Sequence, residues 1–284
     1  MLPPFLERWW ALEDGDELMI SKRRMAAMGV SLLIIAGCNK GPGEANKVSV
    51  PKAKVEVNAP AKVDPDAVAA LRRMSSYLTS LKTAQIESKG SLDVVTNDGQ
   101  RIQMDGLTNY KLRKPGFVID FNSDLKKRRF FYDGKTFTEY SPTTGFYATV
   151  PAPPTNGEAL AAMYKNYGIS LPLADLFRWS DPNGTRDDSL TSAYQVGTAT
   201  LDGVPTDHYA FREGNTDWEL WVQQGDQPLP RKLVIVDRSD AARPTFAARL
   251  DWKVNPPLGD QDFTFKPGAK DKHIQFAKYQ GPGA

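Results

Sequence analysis

The chain has 284 residues, 40% hydrophobic and 25% charged, which is an ordinary globular composition. Its net charge of +2 is too balanced to predict a nucleic-acid partner, which calls for a strongly basic face. One cysteine, Cys38, excludes a disulfide within the chain, and no Cys or His cluster has metal-ligand spacing, so no metal and no cofactor is expected.

The first elements in chain order form an address. Lys22-Arg23-Arg24 is a positive cluster, and Met25 to Gly37 follows with no charge. Those are the n-region and h-region of a signal peptide, and the run is short for a permanent membrane span. It ends Ile35-Ala36-Gly37-Cys38. An aliphatic residue, two small residues and a cysteine resemble the bacterial lipobox. That resemblance implies cleavage before Cys38 and acylation of its thiol, palmitate included. Two or more chains hold a protein stably on a bilayer where one holds it marginally. The alternative is a core cysteine at the end of an apolar helix. Asn39, where an Asp would stand in some inner-membrane lipoproteins, favours the outer membrane by the same resemblance.

Residues 1–37 are thus read as a signal peptide. The acidic residues Glu13, Asp14, Asp16 and Glu17 sit awkwardly ahead of an n-region, so translation is expected to begin at Met19, or else a longer extension is cleaved off. Residues 38–63 are rich in Lys, Pro, Ala, Gly and Val and hold no lasting period, as in a flexible tether.

From Asp64 the chain reads as one domain. Asp64-Pro65-Asp66 starts a helix, with a capping Asp and Pro at the first helical position. Leu71, Met74, Leu78 and Leu81 form its apolar stripe. From Gln85 the period becomes two. Asn97-Asp98-Gly99, Pro115-Gly116 and Asp133-Gly134 mark turns between strands that run on to Val150. Thr155 to Glu158 has capping-box spacing ahead of a second helix through Leu160, Met163, Tyr164 and Tyr167. Pro172 restarts a short helical stretch through Leu173, Leu176 and Phe177, and a polar loop spans Ser180 to Asp188. A second β block runs from about Ser192 to Phe265.

The expected fold is mainly β (α+β). About ten or eleven strands build a strongly curved antiparallel sheet, an unclosed barrel, covered by two or three helices over residues 64–270. Residues 271–284 are expected to be a disordered tail. One apolar sheet face needs cover, and the helices are the available cover.

Several stretches resemble a family of predicted periplasmic proteins of unknown function related to the LolA/LolB lipoprotein-carrier superfamily. They are Phe130 to Lys135, Tyr147 to Pro154, Tyr167 to Leu176, Asp207 to Phe211, Gly225 to Lys232 and the closing Phe263-Thr-Phe-Lys-Pro267. The resemblance implies a LolA-like sheet with a helical lid over an apolar cavity that takes acyl chains. Fold kinship alone does not establish carriage. The soluble carrier of that superfamily is not lipidated, whereas Cys38 implies an anchor.

Chemistry is sparse. His208 and Asp207 are neighbours on one strand and point to opposite faces, so an Asp–His couple is not expected. His273 lies in the polar tail, and Asp175 is either a buried acid or, as its setting favours, an exposed or capping residue. No nucleophile elbow or phosphate loop appears, and an enzyme is not expected. Lys126, Lys127, Arg128 and Arg129 are either an anionic-lipid contact or a solvated hairpin end. Phe117, Phe121, Phe131, Trp218, Phe246 and Trp252 on strands, with Leu160, Met163 and Phe177 on the cover, either line a cavity or fill a core. The expected function is an exported lipoprotein, anchored in the outer membrane and facing the periplasm. It would bind a lipid or the acyl part of a lipoprotein. The alternative is a non-catalytic envelope protein with a filled core that binds another protein.

Overall fold

The computed structural model describes residues 63–171, 173 and 189–279. The expected signal segment, Cys38, Asp175 and Phe177 lie outside them. The chain opens with α1 (Pro65–Ser80), then β1 (Thr83–Val95), β2 (Arg101–Arg113), β3 (Gly116–Ser123), β4 (Lys127–Tyr132), β5 (Thr136–Ser141) and β6 (Phe146–Pro151). Helix α2 (Asn156–Tyr167) divides these from β7 (Leu190–Leu201), β8 (Val204–Glu213), β9 (Thr216–Gln223), β10 (Pro230–Asp237) and β11 (Thr245–Val254). A short β12 (Lys272–His273) ends the order.

All twelve strands join one sheet in the order β12-β6-β5-β4-β3-β2-β1-β11-β10-β9-β8-β7. Every pairing is antiparallel except β12 on β6. The sheet is unclosed, with β7 at one edge and β12 on β6 at the other. Laid flat, twelve strands would span nearly 60 Å, far more than two helices each about 10 Å wide can cover. The sheet must curl around them, and inner-face residues from both halves do share one core with α1 and α2.

The local reasons are those the sequence supplies. The Asp64 side chain accepts from the Asp66 N–H at 2.9 Å and Pro65 stands at the first helical position. The Leu71, Met74 and Leu78 stripe is buried against the sheet. At α2 the Glu158 N–H donates to Thr155 Oγ1, and Gly168 in the left-handed region closes the helix.

The tail departs from expectation. Residues 271–279 are not a disordered end. Lys272–His273 pairs with β6, Phe276 packs on Phe137 and Tyr167, and the Tyr279 N–H donates to the Asn166 carbonyl. A Lys-, Pro- and Gly-rich stretch hides two docked rings, Phe265 and Phe276, and composition gives no sign of where they dock.

Candidate functional site

The residues expected to line a cavity divide into four groups. Phe117, Leu160 and Met163 are buried in the main core between sheet and helices. Phe121, Trp218, Phe246 and Trp252 are partly buried and pack against it. Phe131 is misplaced by the sequence reading. It faces the opposite side of the sheet, in a second cluster with Val118 and Phe263, flanked by Tyr140, Leu258 and Phe265. The run Phe130-Phe131-Tyr132 carries no alternation, because both faces of β4 are covered there, so pattern alone cannot choose its inward side. Phe177 lies outside the described residues.

A strap makes the second cluster. After β11 the chain crosses the outer face of β2 to β6. Lys111 Nζ donates to Asp262 at 2.7 Å, Arg113 pairs with Asp260, and the Arg113 guanidinium lies 4.2 Å from the centre of the Phe263 ring. Phe265 then sits within 5.3 Å of Phe131, Tyr140 and Tyr147, centre to centre. Gly116 makes this approach possible. A Cβ there would fall 2.7 Å from the Arg113 side chain and 3.3 Å from Phe263, at a positive φ.

The main core is packed by Phe117, Ile119, Tyr132, Phe137, Met163 and Leu220, none more than 1% exposed. Phe117 contacts the Tyr132 and Phe137 rings at 5.1 and 6.2 Å. Burial pushes the Tyr110 phenol far up from its ordinary range, as in a dry interior. A cleft opens into this core at the foot of α1. Leu78, Leu81, Leu112 and Trp252 make its apolar walls, and Lys82, Lys114 and Asn156 stand at its mouth. Lys114 Nζ donates to the Thr79 carbonyl at 2.7 Å, and Trp252 Nε1 to the Pro230 carbonyl at 2.7 Å. The cleft holds about 30 Å³, room for one or two waters and far less than an acyl chain. Around this cleft the described core is close-packed.

The other candidates resolve by geometry. His208 has no bond to Asp207. It meets Glu219 at 2.8 Å and stacks on Trp221 at 3.8 Å, with Lys232 on that indole at 4.1 Å. Sequence reasoning missed this pair, because Glu219 lies on the next strand and only the β8–β9 register brings it over. His273 tilts on Tyr147. Of the basic run, Arg128 pairs with Glu139 and Arg129 with Asp120, while Lys126 and Lys127 stay exposed at the turn. Burial pushes the Glu139 carboxyl up against the pull of Arg128. Burial of its stem, with Arg128 beside it, moves Lys126 down from the ordinary lysine range. Among the described residues no three His, Cys, Asp or Glu side chains converge as a metal set, and no helix is long and apolar enough to cross a membrane.

Residues 67–277 match the family described as predicted periplasmic protein, DUF2092. No curated protein matches the sequence. Solved structures similar to this chain include an uncharacterised conserved protein of Thermus thermophilus, with 13% identity, TM-score 0.45, and 74% of this chain covering 99% of that one. The lipoprotein LppX of Mycobacterium tuberculosis is similar at 14% identity and TM-score 0.41, with 69% and 98% covered. A LolA superfamily protein of Nitrosomonas europaea is similar at 9% identity and TM-score 0.34, with 70% and 97% covered.

Proposed function

We propose a function on one premise: this chain belongs to the DUF2092 family of predicted periplasmic proteins. It works outside the cytoplasm as a lipoprotein anchored through Cys38 and held off the outer membrane by residues 39–63. It takes the acyl part of a lipid or lipoprotein between the sheet and α1. The observation that carries this reading is the cleft at the foot of α1, apolar in its walls and lysine-edged at its mouth. An acyl chain gains about 0.8 kcal/mol for each methylene removed from water. Lys82 and Lys114 stand where an anionic head group would come to rest. Since the cleft as it stands is too small, the ligand enters as α1 moves away from β1 and β11. Ties that must open include the Lys114–Thr79 bond.

A second reading, an envelope protein that binds another protein through a sheet edge or loops, is favoured by the close packing of the described core. One experiment separates the two. Protein purified gently from membranes is subjected to native mass spectrometry and lipid extraction, and then titrated with a fluorescent fatty acid. A co-purifying lipid, and fatty-acid binding that Leu81→Trp abolishes by filling the cleft, support acyl binding. Recovery of no lipid, with fluorescence indifferent to that substitution, leaves the protein-binding reading in place.

A further inference from the structure

One end of the sheet differs from the other. The row of paired residues Ala193, Phe211, Trp218, Ile235, Phe246, Leu92 and Met104 runs across seven strands near that end. Beside Met104, the Asp105 N–H donates to the Asp124 carboxylate and the Asp124 N–H to the Asp105 carbonyl. Those bonds fix the β3–β4 turn at the end of the same row. Ser123 Oγ accepts from the N–H groups of Leu125 and Lys126, so the turn is built rather than loose.

This end carries exposed apolar side chains among cations. Leu125 at the turn is 48% exposed, Phe146 on the β5–β6 hairpin 40%, and Ile102 on β2 38%. Exposed Lys126 and Lys127 follow Leu125, exposed Lys272 is the residue paired with Phe146, and exposed Lys270 lies two residues before it. Several of the nearby carboxylates hold a partner, while that of Asp105 is exposed beside the turn. Asp124 bonds Asp105, Asp93 bonds the Thr245 N–H and faces Arg101, Glu139 pairs with Arg128, and Asp271 bonds Tyr140 and Gly268. The domain is also entered from this end. Val63 bridges to Ala193, and the Asp64 N–H donates to the Ala193 carbonyl, in the row just traced.

We propose that this hairpin end is a bilayer-docking surface, with Leu125 and Phe146 entering the interface of an anionic membrane while Lys126, Lys127, Lys270 and Lys272 meet its phosphates. The proposal rests on the reading of the chain as membrane-anchored and adds an orientation to it. An apolar wedge ringed by lysines suits that interface, because each lysine near an anionic surface strengthens binding about fivefold and salt screens it. The cleft beside Trp252 lies at the opposite end of β1, β2 and β11, so it opens away from the membrane.

The test uses the full chain, expressed with its own export signal and reconstituted into phosphatidylethanolamine–phosphatidylglycerol vesicles. Leu125→Cys and Asp226→Cys each carry an environment-sensitive fluorophore, position 226 being an exposed turn at the far end. Head-group-labelled quencher lipids are expected to quench the probe at 125 and spare the one at 226. Lys126→Glu with Lys127→Glu, or high salt, should weaken the quenching at 125 severalfold. Equal quenching at both positions, or none at either, overturns the docking surface while leaving the anchor intact. Maleimide labelling of Cys38 in the wild-type chain, or loss of that chain from the vesicles, overturns the anchoring reading and this proposal with it.

Discussion

The two halves of the sheet are covered differently. In β3 and β4 both faces are buried, the inner one against the helices and the outer one under the strap that carries Phe263 and Phe265, whose edges reach β2, β5 and β6. From β7 to β11 the inner face carries most of the buried apolar side chains, and Trp221 is the buried apolar residue on the outer face, under His208 and Lys232. The outer face there holds Arg212 with Asp217, Arg249 with Asp202, and His208 with Glu219. Alternation of apolar and polar residues reports one covered face. It is therefore readable over most of the second half, lost at Leu220-Trp221-Val222, and erased in β3, where Phe117, Val118 and Ile119 are all buried, and at Phe130-Phe131-Tyr132 of β4.

The comparison can be broken most sharply at its inner side. Phe117→Ala should cost about 3–5 kcal/mol, since it empties a ring site shared with Tyr132 and Phe137. Denaturant unfolding measures this, and a loss below about 1 kcal/mol would mean the core repacks freely. Phe263→Ala on the outer side should cost about 3 kcal/mol, the low end for a buried ring, because the strap can relax. Its signature is local: hydrogen exchange should rise across residues 256–268 more than in α1. His208→Ala, on the outer face of the other half, should cost about 1–2 kcal/mol, less than either phenylalanine, because the imidazole is partly buried on Trp221 while Glu219 is open to water. If it costs as much as Phe263→Ala, the contrast between the halves fails.

Acid sharpens the same contrast. The hydrogen bond from Lys111, and then that from the Gly259 N–H, hold the Asp262 carboxyl below its ordinary range. The folded strap therefore binds fewer protons than the unfolded chain. Its contribution is whole at neutral pH and is lost as pH falls through the depressed value. Glu139, raised by burial, works the other way, its contribution being greatest in acid and lost as pH rises through the raised value. Exchange in the strap should thus rise on acidification before exchange at the β4–β5 pair, and Lys111→Met should remove the strap's response. The smallest effect belongs to Lys126→Glu with Lys127→Glu, which should leave unfolding within about 0.5 kcal/mol of wild type. A larger change would show that the turn lysines hold the fold.

The helix caps and hairpin turns were legible because their chemistry is local. Asp64 needs only Asp66, Thr155 only Glu158, and Asp133 only the N–H groups of Lys135 and Thr136. What escaped depends on partners far along the chain. Phe131 faces outward because Phe263 and Phe265, more than 130 residues later, return to cover it. Phe117, Leu160 and Met163 share the main core, and a list of apolar residues is the same for a filled core and an empty one, so their spacing could not choose between lining a cavity and filling a core. The cleft drew on Leu78, Leu112 and Trp252 from three elements, and nothing in their spacing joins them.

The pairing of β12 with β6 has a consequence beyond its two residues. A long sheet that does not close has two raw margins, and unpaired backbone there is a template for other chains. Here each margin is touched by a segment leading toward one end of the polypeptide, Val63 on β7 and Lys272–His273 on β6. A version truncated after Pro267 would bare the β6 margin together with Phe146 and Tyr147. It should sediment as concentration-dependent aggregates where the intact protein does not, so that the last residues serve as a hem that keeps the cloth from fraying into its neighbours.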